Sequence, residues 1–252
     1  MTSAGVFHYS PLDSSRFGIR VKRGSLPPEC DVASVVDAVE ADDADLVIFR
    51  VPAGETALPT ALQRRGHSVI HADTLVYYSI DLAQPVHACA ERQVQRAQEH
   101  HRREIAEIAA AGFRDYRSHY AANPLLPSDL VLSGYVEWAQ SRVARDGANG
   151  ETWVVNDQGR VAGFATCDVS AGSVEIVLNA VHPDHERRGL YGMLLRHIQH
   201  DYSQRGLTEL VISTQIWNYG VQRQWSRAGL RLFKAYDTYH LDRRLVMGID
   251  RS

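Results

Sequence analysis

Residues 174–198, VEIVLNAVHPDHERRGLYGMLLRHI, constrain the fold more than any other stretch of the chain. An apolar run of strand length ends at Val181, the turn His182-Pro183-Asp184 follows, and a glycine-bearing segment opens an amphipathic helix. A helix N-terminus presents unpaired backbone N–H groups and the positive end of its dipole. Glycines let an anionic group approach that backbone closely, so strand, glycine loop and helix in this order make an anion site suited to a pyrophosphate. Arg187 and Arg188 add positive charge beside it. The glycine pattern carries weight because a strand precedes it and a helix follows.

The flanking sequence places this unit in a sheet. HRREIAEIAAAG (101–112) carries Ile105, Ile108 and Ala109 on one helical face, and Pro124, Pro127 and Ser128 start a second helix over 129–145. TWVVNDQGRVAGFATCDVS (152–170) is a hairpin turning at Asp157-Gln158-Gly159. After the glycine-loop helix come a strand (209–213), a helix (218–229) and a strand (231–242). The expected order is α α β β β α β α β on one continuous sheet. Upstream, residues 45–81 again read strand, helix, strand, and DLVI, QRRG and DTLVYYSID align with ELVI, SRAG and DTYHLD as a weak internal repeat. Strand–helix–strand units also resemble one another by physics alone, so both readings stand. The polar passage Leu82–Gln98 reads as a linker. It divides a smaller α/β N-terminal domain (1–85) from a larger domain (90–246).

Composition excludes several classes. With 44% apolar and 23% charged residues the chain is globular rather than disordered. A formal net charge of −3 argues against a nucleic-acid partner. No apolar run approaches the ~20 residues of a membrane span, and the N-terminus lacks the pattern of a secretory signal. Cys30, Cys89 and Cys167 are few and scattered, as expected of a reduced, cytoplasmic setting. The twelve histidines show no metal-ligand spacing, so no metal is expected.

Residues 174–198 resemble the GNAT N-acetyltransferases, whose pyrophosphate motif Gln/Arg-x-x-Gly-x-Gly/Ala follows a strand ending Val-x-Pro. Here it stands as Glu186-Arg187-Arg188-Gly189-Leu190-Tyr191, with Gly192 next. Glu186 and Tyr191 depart from the pattern, and Gly192 can take the small-residue role by a shift of one. A narrower likeness runs along most of the chain. YSPLDSSRFGIRVKRG (9–24), FRDYRSHYAANPLLPSDLVLSGYVEWAQSRV (113–143) and STQIWN (213–218) are similar to segments of the bacterial TDP-fucosamine acetyltransferase group. The resemblance implies an α/β (α+β) GNAT fold with a mixed, mainly antiparallel sheet. It implies acetyl-CoA or another acyl-CoA as cosubstrate, and a primary amine as acceptor, in that group the amine of a TDP-linked amino sugar. A homodimer formed through a sheet edge is consistent with it. Acylation of another amine, such as an antibiotic or amino-acid-derived intermediate, and acyl-CoA binding without catalysis remain open beside it.

The resemblance also distributes roles. Backbone N–H groups of Asn179, Ala180 and Val181 would bind the thioester oxygen and pantetheine. Arg187, Arg188, Gly189, Leu190, Tyr191 and Gly192 would hold the pyrophosphate, and Gln215 and Asn218 would touch the pantetheine arm, Asn218 also capping its helix. Glu175 is a candidate base, and His119, in the segment where the relatives bind acceptor, is a second base candidate or a contact to the sugar. Trp225 falls where the family places a tyrosine that protonates the CoA thiolate. An indole N–H donates a hydrogen bond but is no acid near neutrality, so Tyr219 or Tyr191, water, or departure of an unprotonated thiolate must replace that proton.

Overall fold

The computed structural model describes residues 6–84, 93–143 and 150–245. In chain order these form strand β1 (His8–Tyr9), helix α1 (Pro11–Phe17), β2 (Val21–Ser25), α2 (Val32–Glu40), β3 (Leu46–Pro52), α3 (Ala57–Arg64), β4 (Val69–Asp81), β5 (Val94–Arg96), α4 (Arg102–Gly112), α5 (Ser128–Ser141), β6 (Glu151–Asp157), β7 (Arg160–Ser170), β8 (Ser173–Val181), α6 (Leu190–Gln204), β9 (Glu209–Gln215), α7 (Tyr219–Arg227) and β10 (Arg231–Asp242). The class is the expected α/β, with mixed and mostly antiparallel strand pairing. Both segments read as strand–helix–strand take that form. The expected end of α5 at 144–145 and Cys89 lie outside the described residues.

The chain divides into two compact units. One comprises Tyr77–Tyr116 and Val131–Phe233. Its β5, β6, β7 and β8 pair antiparallel in sequence order. Gln158 and Gly159 join β6 to β7 with φ of 51° and 82°, the paired positive values of a turn whose twist suits a hairpin. Ile105, Ile108 and Ala109 of α4 and Ala139 of α5 pack with Val154, Phe164 and Leu178 of the sheet. Each such large side chain contributes about 1.5–3 kcal/mol when fully buried. That layer fixes the strand leading to the glycine loop.

The other unit comprises Met1–Val76, Arg117–Leu130 and Lys234–Ser252. It is therefore not the contiguous segment 1–85 of the sequence reading. β3 carries the run LVIF, buried throughout, and such a strand needs a neighbour on each edge. β2 supplies one in parallel register, Val21↔Leu46 to Ser25↔Arg50. The other is β10, antiparallel from Tyr236↔Pro52 to Asp242↔Leu46. The last strand of the chain thus completes the first unit, while the end of β4 belongs to the second. Residues 117–130 join through Asn123, whose Nδ2 donates to Asp242 at 2.8 Å. Val36, Val39, Leu58 and Leu62 of α2 and α3 cover Val47, Phe49 and Tyr239.

Candidate functional site

β8 and β9 run parallel and then separate. Their pairing extends from Ser173↔Glu209 to Ile176↔Ile212, yet β8 continues to Val181 and β9 to Gln215. The separation coincides with a β-bulge. Thr166 of β7 opposes Leu178 and Cys167 opposes Ile176, which leaves Val177 as the extra residue. A bulge bends its strand and raises the local twist, so β8 turns away from β9 where their ladder stops.

Beyond the bulge, strand alternation decides which backbone groups face the gap. His182 N donates to Ala162 O of the hairpin at 2.8 Å. Residues two apart share an orientation, so Ala180 and Leu178 also direct their backbone groups to β7. Asn179 and Val181 direct theirs to the opposite edge, where β9 has departed. Of the three backbone candidates, two face the gap and Ala180 does not. Gly163 explains the tight β7–β8 approach: a Cβ there would lie 3.0 Å from Ala180 O.

Because β8 and β9 are parallel, the helices that follow them, α6 and α7, both start at the separated end. Arg187 and Gly189 take left-handed φ values of 61° and 78°. Gly189 is the N-cap of α6 and offers no side-chain cap bond, so the first N–H groups of α6, at Leu190, Tyr191 and Gly192, have no capping side chain. A Cβ on Gly189 would meet nothing within 4 Å, so the glycine is required by φ and not by crowding. A Cβ on Gly192 would approach only the Arg196 guanidinium, at 3.3 Å. Arg188 is committed elsewhere. Its guanidinium donates to Asp157 at 2.7 Å and to Asp184 O at 3.3 Å. The hydrogen bond between His185 Nδ1 and Asp157, 2.8 Å, and the Arg188 charge hold the Asp157 carboxyl below its usual range. The hairpin turn thus clamps the glycine loop through Arg188, and Arg187 is the cation of the pair that Asp157 does not engage.

At α7, Asn218 stands at the N-cap but its side chain makes no cap bond. Its Nδ2 donates to Thr214 Oγ1 at 3.1 Å, which corrects the capping role expected from sequence. The Gln215 side chain is buried and accepts from the Tyr116 hydroxyl. Trp225 is 1% exposed, its Nε1–H donates to the Tyr191 hydroxyl at 2.6 Å, and its ring meets Tyr78 edge-on at 5.3 Å. Tyr191 is half-buried, but its hydroxyl end lies inside, and burial pushes its pKa up. Tyr219 is 62% exposed on the outer face of α7 and takes no part in this pair.

The two candidate bases have different surroundings. Glu175 sits in the closed part of the ladder, opposite Val211 and Asp168. It precedes Asn179 by about 13 Å of strand at ~3.3 Å per residue. His119 belongs to the other unit, where its Nδ1 shares a 2.9 Å hydrogen bond with His240 Nε2. Burial, then the Arg23 charge, lowers the pKa of both imidazoles, that of His240 to about 4. Sequence reasoning missed the Val177 bulge, the Asp157 clamp and the Tyr116–Gln215 bond. Gly163 inside a strand pattern was the one available signal of a close backbone approach. Among the described residues, no cluster of His, Cys, Asp or Glu could hold a metal, and no helix is long and apolar enough to cross a membrane.

Similar folds occur among solved structures. A GCN5-related N-acetyltransferase from Sphaerobacter thermophilus aligns with a TM-score of 0.53 at 20% identity, covering 82% of this chain and 64% of that one. This chain thus spans under two thirds of that protein's length. A putative acetyltransferase of the GNAT family from Novosphingobium aromaticivorans gives 0.53 at 19% identity, covering 83% and 78%. A functionally unknown conserved protein from Staphylococcus epidermidis gives 0.59 at 13% identity, covering 89% and 84%. At such identities the likeness is one of fold. No curated protein matches the chain in sequence. The acetyltransferase (GNAT) family matches residues 99–230, more than half of the chain, a span holding the bulged β8, the glycine loop, α6, β9 and α7. The protein belongs to the acetyltransferase (GNAT) family.

Proposed function

We propose that the gap between β8 and β9 takes the pantetheine arm of an acyl-CoA, and that the chain transfers the acyl group to a primary amine. The observation that carries this reading is the end of the β8–β9 ladder at Ile176↔Ile212, at the end of the strands where α6 starts uncapped. An extended pantetheine would pair with the backbone of Asn179 and Val181 as a strand would. The pyrophosphate would rest on the first N–H groups of α6, beside Arg187. Acyl-CoA is thus a cosubstrate, and the residues present fit it.

The chemistry follows from these placements. The neutral amine attacks the thioester carbonyl, forming the new C–N bond, and negative charge develops on the carbonyl oxygen. A backbone N–H at Asn179 or Val181 stabilises that oxyanion without reorganising. The intermediate then collapses, the C–S bond breaks and CoA leaves as the thiolate. A thiol ionises near pH ~8.5, far below the raised pKa of Tyr191, so Tyr191 is assigned a hydrogen bond to the departing sulfur rather than transfer of its proton. Trp225 holds the Tyr191 oxygen and leaves its O–H to point elsewhere. The amine loses its extra proton to solvent or through water, because Glu175 lies back in the closed ladder.

The acceptor class follows from the sequence likeness over 9–24, 113–143 and 213–218: the amine of a nucleotide-linked amino sugar. A second reading, acyl-CoA binding without turnover, is favoured by one observation, the burial of Trp225 where the family places its tyrosine. One experiment separates them: incubate the protein with acetyl-CoA and a panel of amines that includes a TDP-amino sugar, and follow thiol release. Release that depends on an amine supports transfer. CoA binding with no release on any amine supports the second reading.

A further inference from the structure

Asp157 sets a negative charge against the loop assigned to a pyrophosphate. It is the last residue of β6, and the positive-φ residues after it, Gln158 and Gly159, fix the hairpin turn that carries it. One carboxylate oxygen, Oδ2, takes both contacts: His185 Nδ1 at 2.8 Å and the Arg188 guanidinium at 2.7 Å. By charge alone this arrangement works against an anion, because the carboxylate cancels the Arg188 cation.

The backbone that these contacts brace is strained. Arg187 carries a side chain yet takes φ of 61°, a left-handed value that such residues rarely adopt. Strain of this kind persists only where the surroundings hold it. Gly189 follows two residues later at 78°, so left-handed residues flank Arg188 on both sides. Backbone of this sort turns successive N–H groups toward one concave side. The ties that hold it come from the hairpin. Arg188 reaches Asp157 from between the two left-handed residues, and His185 reaches it from just before them. At the entry to the loop, His182 N donates to Ala162 O at 2.8 Å. Arg188 also donates to Asp184 O at 3.3 Å, which fastens the loop to its own entry.

We propose that Asp157 is a positioning residue for acyl-CoA binding: through Arg188 and His185 it holds residues 186–189 in the shape that offers their N–H groups to the pyrophosphate. Arg188 is then a strut and not a phosphate ligand. That role rests on the acyl-CoA reading of the β8–β9 gap. It predicts a sign opposite to simple electrostatics. A carboxylate acting only by its charge would oppose the pyrophosphate, and its removal would tighten acetyl-CoA. A carboxylate that holds the loop weakens acetyl-CoA binding when it is removed.

The test measures acetyl-CoA binding by calorimetry in the wild type, Asp157→Ala, Arg188→Gln and the double variant, with far-UV circular dichroism and Tm as folding controls. Asp157→Asn, which keeps the size of the side chain, serves as a second variant. Asp157→Ala is expected to lose about tenfold in affinity, the scale of one charge-assisted hydrogen bond. Arg188→Gln is expected to lose a similar factor, and the double variant no more than about threefold beyond either single. Amide hydrogen exchange of the unliganded chain is expected to quicken over 184–192 in both single variants. If the wild type binds acetyl-CoA and both Asp157 variants bind it equally well or better, the positioning role is overturned and the acyl-CoA reading stands. A lower Tm with unchanged affinity overturns the role as well. So does an additive loss in the double variant, which would make Arg188 a phosphate ligand, or weaker binding without faster exchange over 184–192. If the wild type binds no acetyl-CoA, the acyl-CoA reading fails and the role falls with it.

Discussion

The indole N–H of Trp225 donates to the hydroxyl of Tyr191 across 2.6 Å, joining the second turn of α7 to the first turn of α6. The two helices begin at the separated ends of β8 and β9, so the pair belongs to the part of the fold assigned to acyl transfer. A tyrosine whose oxygen accepts from an indole keeps its own proton free for another acceptor.

Tyr191→Phe removes that proton and leaves a buried indole N–H without a partner. The stability cost is expected at about 1–3 kcal/mol, read as a lower Tm. Turnover is expected to fall by about tenfold or more, while acetyl-CoA affinity stays within a few-fold. The pH profile of kcat should keep its shape, because Tyr191 stays protonated in the account. Loss of an alkaline limb would show that Tyr191 gives up its proton.

Glu175 lies in the paired section of β8, before the Val177 bulge. Glu175→Gln should therefore lower kcat by no more than about threefold, small beside the ~10²–10⁴ of a lost general base. A fall of about a hundredfold with loss of the acidic limb of the pH profile would place the base there and reject this assignment.

Gly189 takes φ of 78° with open space where a Cβ would stand. Gly189→Ala should cost about 1–2 kcal/mol in stability through backbone strain alone. Relaxation of that strain would move the first N–H groups of α6, so acetyl-CoA affinity should fall as well. Calorimetry and thermal melts check both. An unchanged Tm would mean that the left-handed turn is not needed.

In the other unit, His119 and His240 share one hydrogen bond, with Arg23, Arg50, Asp13 and Asp242 close by. Folding lowers both imidazole pKa values below the ordinary 6.5. The unfolded chain therefore binds protons more readily. Stability is complete above about pH 6.5 and drains away as pH falls toward the folded value of about 4 for His240. At ~1.4 kcal/mol per unit the His240 contribution is of order 3 kcal/mol. Melting curves across this window should show the wild type losing Tm more steeply than His240→Gln. Parallel curves would contradict the assignment.

The local structure of the candidate site was legible where it depends on local chemistry. The strand, turn and glycine of 174–192 follow from periodicity and from the conformational freedom of Gly189, and the family resemblance pointed to Trp225. What escaped was set by partners far along the chain. Val177 carries no bulge signal of its own, since the extra residue is defined only against Thr166 and Cys167. Asn218 suits an N-cap by type, but Thr214 competes for its side chain. Arg188 reads as a phosphate ligand until Asp157, in a hairpin turn, claims it. The boundary at residue 85 failed to describe the units because β10 completes the strand pairing of β3, a choice no local pattern encodes.

Among the described residues, the unit built on β2, β3 and β10 contains a strand–helix arrangement with no equivalent gap. β2 and β3 stay paired through Ser25↔Arg50. The N-terminus of α2 is filled by its own cap, the Asp31 carboxylate, which accepts from Ala33 N at 3.2 Å. A capping carboxylate takes the place an anion would need. The measurement that tests the central claim is thus native mass spectrometry of the chain with excess acetyl-CoA. The account predicts one acetyl-CoA per chain, lost or weakened in Gly189→Ala. Absence of any bound acetyl-CoA, or binding that ignores Gly189, would contradict the assignment of the β8–β9 gap.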